Sequence, residues 1–232
     1  AITLILLTFT VLSFTSIKSY LKFNQLLRPN TPPYTGILLR DRSWAPLQKF
    51  ALQYTEDEFS SNSIISPRGW YVLSQLGNKT AVEVKCGDEI FLSSGILGLS
   101  PQESEISPIK DTIISGKWIE SDSESNVLIS KKIANALKLT NEDIGKTLNI
   151  YGKQFTLIGI FDGKKLGQIK DMDDEPITPV DFSSLPEKEV NKMKMEKSAQ
   201  VYTSQAKLQT FTHVDGENTI ILPYKTLLKM GG

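Results

Sequence analysis

Residues 113–161 read IISGKWIESDSESNVLISKKIANALKLTNEDIGKTLNIYGKQFTLIGIF. The apolar run Val127–Ile129 predicts a short strand, and Ser130 directly after it is suited to cap a helix N-terminus. The apolar residues of that helix recur at helical spacing and therefore share one face. They are Ile133, Ala134 and Leu137. We expect Gly145 to end the helix.

Two further signals in this stretch indicate turns. Residues Thr140–Asp143 have the S/T-x-x-D/E form of a capping box, which predicts a short second helical turn. Tyr151-Gly152-Lys153 joins two runs of β-forming residues as a hairpin. The stretch therefore predicts mixed helix and strand, an α+β fold class, and it contains no catalytic constellation.

Length and composition are those of a globular protein. The chain has 232 residues, of which 40% are hydrophobic, enough for one large core or two small ones. Its 26 basic and 26 acidic residues cancel, so no strong field favours a polyanion. Because no basic run is interleaved with aromatic residues, we expect no nucleic-acid partner.

The N-terminal segment has the composition of a membrane helix. Ala1–Ile17 contains 17 residues without a charge. As a helix it would span roughly 25 Å, a little less than the ~30 Å hydrocarbon core of a bilayer. We assign residues 1–24 to the end of a transmembrane helix and its juxtamembrane segment, with a buried core helix as the alternative. The proline-rich residues 29–33 are then a stiff, extended connector.

The folded body begins near Thr35. Gly36–Arg40 and Ser63–Ser66 are predicted strands on either side of an amphipathic helix, a pattern that predicts a βαβ unit. The helix face holds Leu47, Phe50, Ala51 and Tyr54. Further strands are predicted over Trp70–Leu76, Thr80–Cys86 and Glu89–Ser93.

Less regular structure is expected in the rest of the chain. Residues 94–107 predict a loop with one short helix that begins near Ser100. Residues 163–167 predict a second loop, and residues 184–198 predict a charged helix. We place residues 25–78 and 200–232 in a membrane-proximal α/β lobe, and residues 79–199 in an inserted β-rich lobe.

Side chains that could support chemistry are few. Cys86 is the sole cysteine, which excludes an intrachain disulfide, and its alternation with two valines indicates a small buried strand residue. His213 is the sole histidine, and no G-x-S-x-G motif accompanies it. We therefore name no catalytic, cofactor-binding or metal-binding residue, and we expect no cofactor.

Two motifs imitate ligand sites. Gly145-Lys146-Thr147 has the form of the end of a phosphate-binding loop, but the first glycine of that motif is missing and a strand is predicted after it. Asp171, Asp173 and Glu175 occupy alternating positions of a calcium loop, yet Pro176 replaces the glycine that such a loop needs. We interpret these carboxylates as a solvated acidic loop.

Six pieces of residues 113–161 follow one another in a characteristic order. They are Gly116–Ile119, the acidic loop after it, VLIS at 127–130, KKIANAL at 131–137, DIGKTL at 143–148 and FTLIGIF at 155–161. In this order they resemble the periplasmic core domain of MacB-type and FtsX-type ABC transporter permeases. NTIILPYKTLL at 218–228 resembles the return strand and helix of that family, whereas residues 162–216 match poorly.

The resemblance implies an extracytoplasmic domain at the cell membrane, attached to a membrane helix at each end. It implies that the domain relays ATP-driven helix motion to a substrate or partner protein, in export, lipoprotein release or cell-wall hydrolase regulation. The domain itself would not be an enzyme. The implied partners are a cytoplasmic ABC ATPase acting through the transmembrane helices, a second permease copy or homologous half, an unidentified extracytoplasmic protein or cargo, and the lipid bilayer.

Two other hypotheses remain open. The chain could be a singly membrane-anchored extracytoplasmic binding module, which predicts a ligand pocket, or an anchored hydrolase, which requires a pocket containing His213. Residues 96–109 and 163–182 are expected to be exposed loops, and they are the candidate partner surfaces.

Overall fold

The computed structural model describes residues 38–40, 47–72, 81–122, 124–181 and 212–231. The transmembrane segment expected at residues 1–24 and the charged helix expected at residues 184–198 lie outside these ranges. Within them, every helix is too short or too polar to cross a bilayer.

The described strands form one mixed sheet. They are β1 (Arg68–Tyr71), β2 (Val82–Cys86), β3 (Glu89–Ser93), β4 (Gly95–Leu99), β5 (Ile113–Gly116), β6 (Asn126–Ser130), β7 (Thr147–Ile150), β8 (Lys153–Phe161) and β9 (Thr219–Pro223). Their order across the sheet is β1-β4-β9-β6-β8-β7-β2-β3, and β5 pairs with β8. The β4/β9 and β6/β8 pairs are parallel and the other pairs are antiparallel.

Helices cover both faces of this sheet. The α-helices are α1 (Lys49–Phe59), α2 (Glu103–Ile106), α3 (Lys131–Ala136), α4 (Gly163–Gln168) and α5 (Tyr224–Leu228). Short 3₁₀ turns occupy Pro108–Thr112, Asn141–Asp143 and Gly216–Asn218. A mixed sheet flanked by helices is the α+β class that the sequence predicts.

The sheet separates two hydrophobic cores. The first core packs β2, β4, β6, β7, β8 and β9 against α3 and α5. The second core packs the other faces of β4, β6, β8 and β9 against α4 and the Pro108–Thr112 turn. Since β4 and β9 contribute to both cores, all five residues of each strand are buried.

Several local predictions for residues 126–161 are confirmed. Ser130 Oγ accepts a hydrogen bond from the Ile133 N–H at 3.2 Å and caps α3. Thr140 and Asp143 form the predicted capping box. The β7/β8 hairpin turns at Tyr151 and Gly152, both with positive φ.

The prediction that the helix α3 continues to Gly145 is wrong. It ends at Ala136, because Lys138 adopts a left-handed conformation with φ of 56°. The Leu139 N–H then bonds the Ala134 carbonyl at 2.8 Å, and the Lys138 N–H bonds the Asn135 carbonyl at 3.1 Å. This is the Schellman arrangement, which usually has glycine where this chain has Lys138.

Three other element predictions are wrong. Residues 94–107 contain the buried strand β4. Its two glycines and the flanking serines are typical of a loop, so the sequence pattern did not indicate this strand. Residues 163–167 are helical, because Asp162 Oδ1 accepts hydrogen bonds from the N–H groups of Lys164 and Lys165. The expected βαβ unit is absent from the described ranges: residues 38–40 and 63–66 are not strands, and β1 pairs antiparallel with β4.

The strands β1 and β9 come from the ranges assigned to the membrane-proximal lobe. The strands β2 to β8 come from the range assigned to the inserted lobe, and all of them share one sheet. The division into two lobes stays a prediction.

The tight crossing at Gly116 generates a testable prediction. Gly116 has a φ of +84°, and a Cβ there would lie 2.1 Å from the Ile158 carbonyl oxygen. Because both the backbone conformation and the space exclude a side chain, Gly116→Ala should lower the free energy of unfolding by about 2–5 kcal/mol. Urea denaturation measures this.

Gly152→Ala is the matched control. Its φ of +74° is similar, but nothing lies within 4 Å of the added Cβ. This variant should lose only about 1–2 kcal/mol of strain energy. Equal losses in the two variants would contradict the steric account of Gly116.

Candidate functional site

The helix α5 packs directly against the sheet backbone at the β1 edge of the sheet. Gly69 of β1 and Gly98 of β4 are direct partners in the antiparallel register. A Cβ on Gly98 would lie 2.5 Å from Leu227 Cδ2, and one on Gly69 would lie 3.2 Å from the same atom. We call this pair the glycine notch. It lets fully buried Leu227 reach the sheet backbone.

A second attachment holds α5 to the acidic segment before β6. The Thr226 N–H donates to the Asp122 carbonyl at 3.2 Å, and Thr226 Oγ1 donates to the Glu124 carbonyl at 2.9 Å. Lys225 Nζ lies 3.8 Å from Asp122 Oδ2. Burial raises the pKa of Asp122, and the charge of Lys225 opposes that rise only in part. The helix is therefore fixed both by packing and by hydrogen bonds.

The helix α1 lies close enough to α5 to act on it electrostatically. Burial raises the pKa of Tyr224, the first residue of α5, and the negative charges of Glu56 on α1 and of Asp122 add to the rise. No residue of α1 is buried. An N-terminal helix and the C-terminal helix thus approach each other at one edge of the sheet.

On the opposite face of β1, Arg68 forms a buried ion cluster with Glu103 and Asp171. Arg68 Nε and Nη2 each donate to a Glu103 carboxylate oxygen at 2.9 Å, and Nη1 bonds Asp171. Ser66 Oγ donates to Glu103 at 2.7 Å. Bidentate geometry of this kind gives strong and directional ion pairs.

The charges of the ion cluster stabilise one another despite burial. Burial alone disfavours the charge of Arg68, but the attraction of Glu103 and Asp171 outweighs it and raises the pKa of Arg68. Burial likewise disfavours ionised Glu103, whose side chain is fully buried, but Arg68 and Ser66 outweigh it and lower the pKa of Glu103. Arg68 and Glu103 therefore stay ionised at neutral pH.

The interpretation of residues 171–175 as a solvated acidic loop is wrong. Asp171 binds Arg68, Asp173 Oδ2 lies 2.7 Å from Arg40 Nη1, and Glu175 Oε2 lies 3.3 Å from His213 Nε2. Each carboxylate faces a different basic group, so the three do not converge on a cation. The described part of the chain contains no group of three or more His, Cys, Asp or Glu residues able to hold a metal ion.

Cys86 and His213 lie on different sides of the sheet. Cys86, at the end of β2, packs against the first core and is partly exposed. His213 contacts Trp70 edge-to-face, with ring centroids 6.4 Å apart, and Trp70 packs against the second core. The structure therefore does not bring these two side chains together.

The candidate partner surfaces are less exposed than expected. Residues 96–99 belong to the buried strand β4, which corrects the expectation of an exposed loop at residues 96–109. Within residues 163–182, Ile177–Val180 are buried as well. Exposed positions there are confined to parts of α4 and the acidic loop.

One surface cavity of about 430 Å³ lies beyond the carboxyl ends of β6 and β8. It is lined by Ile114, Lys131, Lys132, Asn135, Asp162, Gly163, Lys164 and Glu217. Asp162 is already engaged as the cap of α4. The lining offers charge but no nucleophile beside a base, so it suggests binding rather than chemistry.

The ion cluster generates a prediction about pH. Arg68→Met should lower the free energy of unfolding at pH 7 by about 3–5 kcal/mol, because Glu103 keeps a buried charge without its partner. In the wild type the lowered pKa of Glu103 adds stability that is lost as pH falls through it. In the variant, acid neutralises the unpaired carboxylate, so the penalty should shrink at pH 5. Denaturant unfolding at both pH values measures it.

The control for the ion cluster is Lys117→Met. Lys117 pairs with Glu120 at 2.7 Å, but both side chains are more than half exposed. Because an exposed pair of this kind contributes little to stability, Lys117→Met should lower the free energy of unfolding far less than Arg68→Met, with little change between pH 7 and pH 5. A penalty for Arg68→Met that grows at pH 5 would show that the unpaired charge of Glu103 is not the cause of the loss.

The glycine notch generates a double-mutant cycle. Gly98→Ala should cost about 1–3 kcal/mol by overpacking, and Leu227→Ala about 2–5 kcal/mol by leaving a cavity. Since each change makes room for the other, the double variant should lose about 1–2 kcal/mol less than the sum. Gly167→Ala, where nothing lies within 4 Å, should add independently to Leu227→Ala. Full additivity at Gly98 would refute direct contact.

Residues 3–215 match the family model of the MacB-like periplasmic core domain. The periplasmic region of MacB from Actinobacillus actinomycetemcomitans is similar over 78% of this chain and 58% of its own, at 15% identity and a TM-score of 0.43. The extracellular domain of the noncanonic ABC-type transporter YknZ from Gram-positive bacteria is similar over 36% of this chain and 45% of its own, at 17% identity and a TM-score of 0.30. No curated protein matches the chain. Because the family model covers most of its length, the chain belongs to the family of MacB-like periplasmic core domains.

Proposed function

We propose that the chain is the extracytoplasmic domain of an ABC transporter permease, and that it relays ATP-driven motion of transmembrane helices to a substrate or partner protein. Family membership supports the class of domain. The relay rests on one observation: α5 is seated in the glycine notch. A relay needs a stiff link between the C-terminal helix α5 and the sheet, and this contact would provide one.

The stiffness of this link follows from how α5 is held. Leu227 lies over the backbone of Gly69 and Gly98 in addition to its packing in the first core, and backbone within a paired strand cannot rotate away. Thr226 adds hydrogen bonds to the Asp122 and Glu124 carbonyls. A force on α5 therefore moves β1 and β4, and β4 passes it to β9 through parallel pairing. The whole sheet then moves as one body.

The N-terminal side is attached at the same edge. Arg40 pairs with Asp173 of the acidic loop, whose Asp171 binds Arg68 of β1. In this proposal residues 1–24 hold the end of a membrane helix, residues 25–78 and 200–232 form the membrane-proximal lobe, and residues 79–199 form the inserted lobe. A domain attached at both ends moves with its helices, whereas a domain on one tether would not.

The partners in this proposal are a cytoplasmic ABC ATPase, reached through the membrane helices, and a second permease copy or homologous half. An extracytoplasmic protein or cargo would receive the motion, and the bilayer would hold both ends. The folded domain would lie on the extracytoplasmic side of the cell membrane and would not itself be an enzyme.

A second candidate is a singly anchored extracytoplasmic binding module. The charged cavity between α3 and α4 favours it, since it lies at the end of the sheet away from α5. That position follows from the sheet: β6 runs antiparallel to β9, so its carboxyl end is opposite the end from which α5 starts.

An electron spin-resonance experiment separates the two candidates. The full reading frame is reconstituted in lipid nanodiscs with its ATPase, and spin labels replace Asp88 and Lys229, both exposed, on a Cys86→Ser background. When ATP replaces ADP, the distance between Asp88 labels on two copies should change by several ångströms. The distance from Asp88 to Lys229 within one copy should stay constant.

Each other outcome has a definite meaning. No nucleotide-dependent change between copies would favour the singly anchored module. A change between Asp88 and Lys229 within one copy would refute motion of the sheet as one body. An ATPase variant unable to hydrolyse ATP, trapped with ATP bound, is the control that separates nucleotide binding from turnover.

A further inference from the structure

The strand β3 is the edge of the sheet farthest from β1, and its outer side is open. Within the described ranges, no strand pairs with that side. Natural sheets protect such an edge with lysine, proline or a β-bulge. The sequence of β3, EIFLS, contains neither lysine nor proline, and its register with β2 runs without a bulge from Glu89 to Ser93. Its one charged residue, Glu89, forms an ion pair with Lys138. The edge therefore carries none of the usual barriers to another strand.

The side chains at this edge are apolar on a sheet face whose neighbouring strands are polar. Ile90 and Leu92 are 52% and 61% exposed. Because Phe91 between them packs against the first core, both lie on the opposite face of the sheet. On that face, the neighbouring strands β2, β7 and β8 carry Glu83, Lys85, Thr147, Asn149, Gln154 and Thr156. The polar surface thus ends at β3 in two adjacent large apolar side chains, which a partner strand would cover.

The hairpin geometry sets which backbone groups of β3 point outward. A two-residue turn joins β2 to β3, so the residues that flank it, Cys86 and Glu89, make a hydrogen-bonded pair. Hydrogen-bonded and non-hydrogen-bonded pairs alternate along an antiparallel ladder. The backbone groups of Phe91 therefore face β2, whereas those of Ile90 and Leu92 face outward. Their N–H donors and carbonyl acceptors are thus placed to pair with an added strand.

We propose that β3 pairs antiparallel with β3 of a second copy of this chain in at least one nucleotide state of the assembly. This inference rests on the proposed function, which supplies the second copy. In the two-fold register centred on Phe91, Ile90 of each copy lies opposite Leu92 of the other. Each such pair exchanges two backbone hydrogen bonds, so every outward N–H and C=O group of Ile90 and Leu92 finds a partner. The edge is therefore self-complementary.

The side chains suit the same register. Two apolar pairs form across the junction, and cross-strand pairs of this kind stabilise antiparallel sheets. Glu89 lies opposite Ser93 of the other copy, so the two carboxylates do not face each other. On the strand behind the edge, Glu83 and Lys85 form an ion pair at 2.9 Å within one chain. Two copies therefore meet at this edge without a repulsive charge pair.

Edge pairing also gives the two copies the same orientation relative to a membrane. The two-fold axis of such a junction is perpendicular to the sheet, so corresponding faces of both copies lie on the same side. The helices α3 and α5 pack on the face of the first core. Both copies thus present α5 on one side of the joined sheet. Stacking the apolar pairs face to face would instead place the two α5 helices on opposite sides, which does not suit two copies held in one membrane.

The size of the junction fits a contact that forms and breaks. Two five-residue strands make a small interface, and small interfaces are weak and reversible. Two copies held in one assembly meet at a high effective concentration, so a weak contact is enough. Such a contact can form in one nucleotide state and open in another, as the motion in the proposed function requires.

A register-specific disulfide tests the junction. The full reading frame is reconstituted in lipid nanodiscs with its ATPase on a Cys86→Ser background, and disulfide formation is followed with ADP and with ATP. Chains carrying Ile90→Cys are mixed with chains carrying Leu92→Cys, with tags of different size. The mixed disulfide should form about tenfold or more faster than the one between two Ile90→Cys copies, because opposite residues lie about 5 Å apart and diagonal ones about 7–8 Å, beyond the reach of a disulfide. Ile114→Cys, 46% exposed and away from this edge, is the control and should form none.

Leu92→Lys tests the apolar pairs without changing the core. It puts a charge at the junction and should abolish the paired population, whereas Thr156→Lys, on the same face but three strands inward, should leave it unchanged. Spin labels at Asp88 measure this population. Residue 88 of one copy lies opposite residue 94 of the other, six positions from that copy's own label, so the labels should be about 20 Å apart when the edges pair.

The outcomes separate this inference from the proposed function. Two copies in each nanodisc, counted by mass photometry, with no mixed disulfide in either nucleotide state would overturn the junction and leave the proposed function standing. A single copy in each nanodisc would overturn the junction, and without a homologous half beside it the proposed function would fail as well. Equal rates for the mixed pair and for two Ile90→Cys copies, or a paired population that survives Leu92→Lys, would also overturn the junction.

Discussion

The contact between Leu227 and the bare backbone of Gly69 and Gly98 is the constraint on which the arrangement at the β1 edge depends. Two glycines must face each other across β1 and β4, because a side chain on Gly98 would occupy the space of the leucine. The contact brings α5 down onto the sheet, and Thr226 then reaches the carbonyls of residues 122 and 124. Without the glycine notch, α5 would pack on side chains rather than on the sheet backbone, and its position relative to the sheet would be less well fixed.

One face of β1 is held by the packing of Leu227 at Gly69, and the other face is held by the ion pairs of Arg68. Arg68 gathers Glu103 and Asp171, and the acidic loop that supplies Asp171 also reaches Arg40 and His213. A four-residue strand at the sheet edge offers few backbone bonds, so side chains on both of its faces supply the rest. The packing of Leu227 on one face of β1 and the ion pairs of Arg68 on the other face thus fix this short strand between the N-terminal and C-terminal parts of the domain.

Sequence reasoning succeeded where local chemistry decides structure. The Ser130 cap, the Thr140 capping box and the turn at Tyr151-Gly152 depend on residues only a few positions apart. It failed where distant residues decide. The glycines and serines around β4 are typical of a loop, and only its pairing with β1 and β9 makes this segment a strand. Gly98 would normally weaken a strand, but here its lack of a side chain leaves space for Leu227. No local sequence pattern indicated that Arg68 forms a buried ion pair, because its partners lie 35 and 103 positions away. The acidic loop was misinterpreted as solvated for the same reason.

The position of β9 has a consequence for how the protein is made. This strand, at residues 219–223, fits between β4 and β6, which precede it by about ninety residues or more. A ribosome adding roughly 5–20 residues per second must therefore synthesise residues 219–223 before the gap between β4 and β6 can be filled. Until then β4 and β6 expose apolar edges of the kind that chaperones shield. The nascent sheet is thus completed by a late strand inserted between two strands that were made earlier.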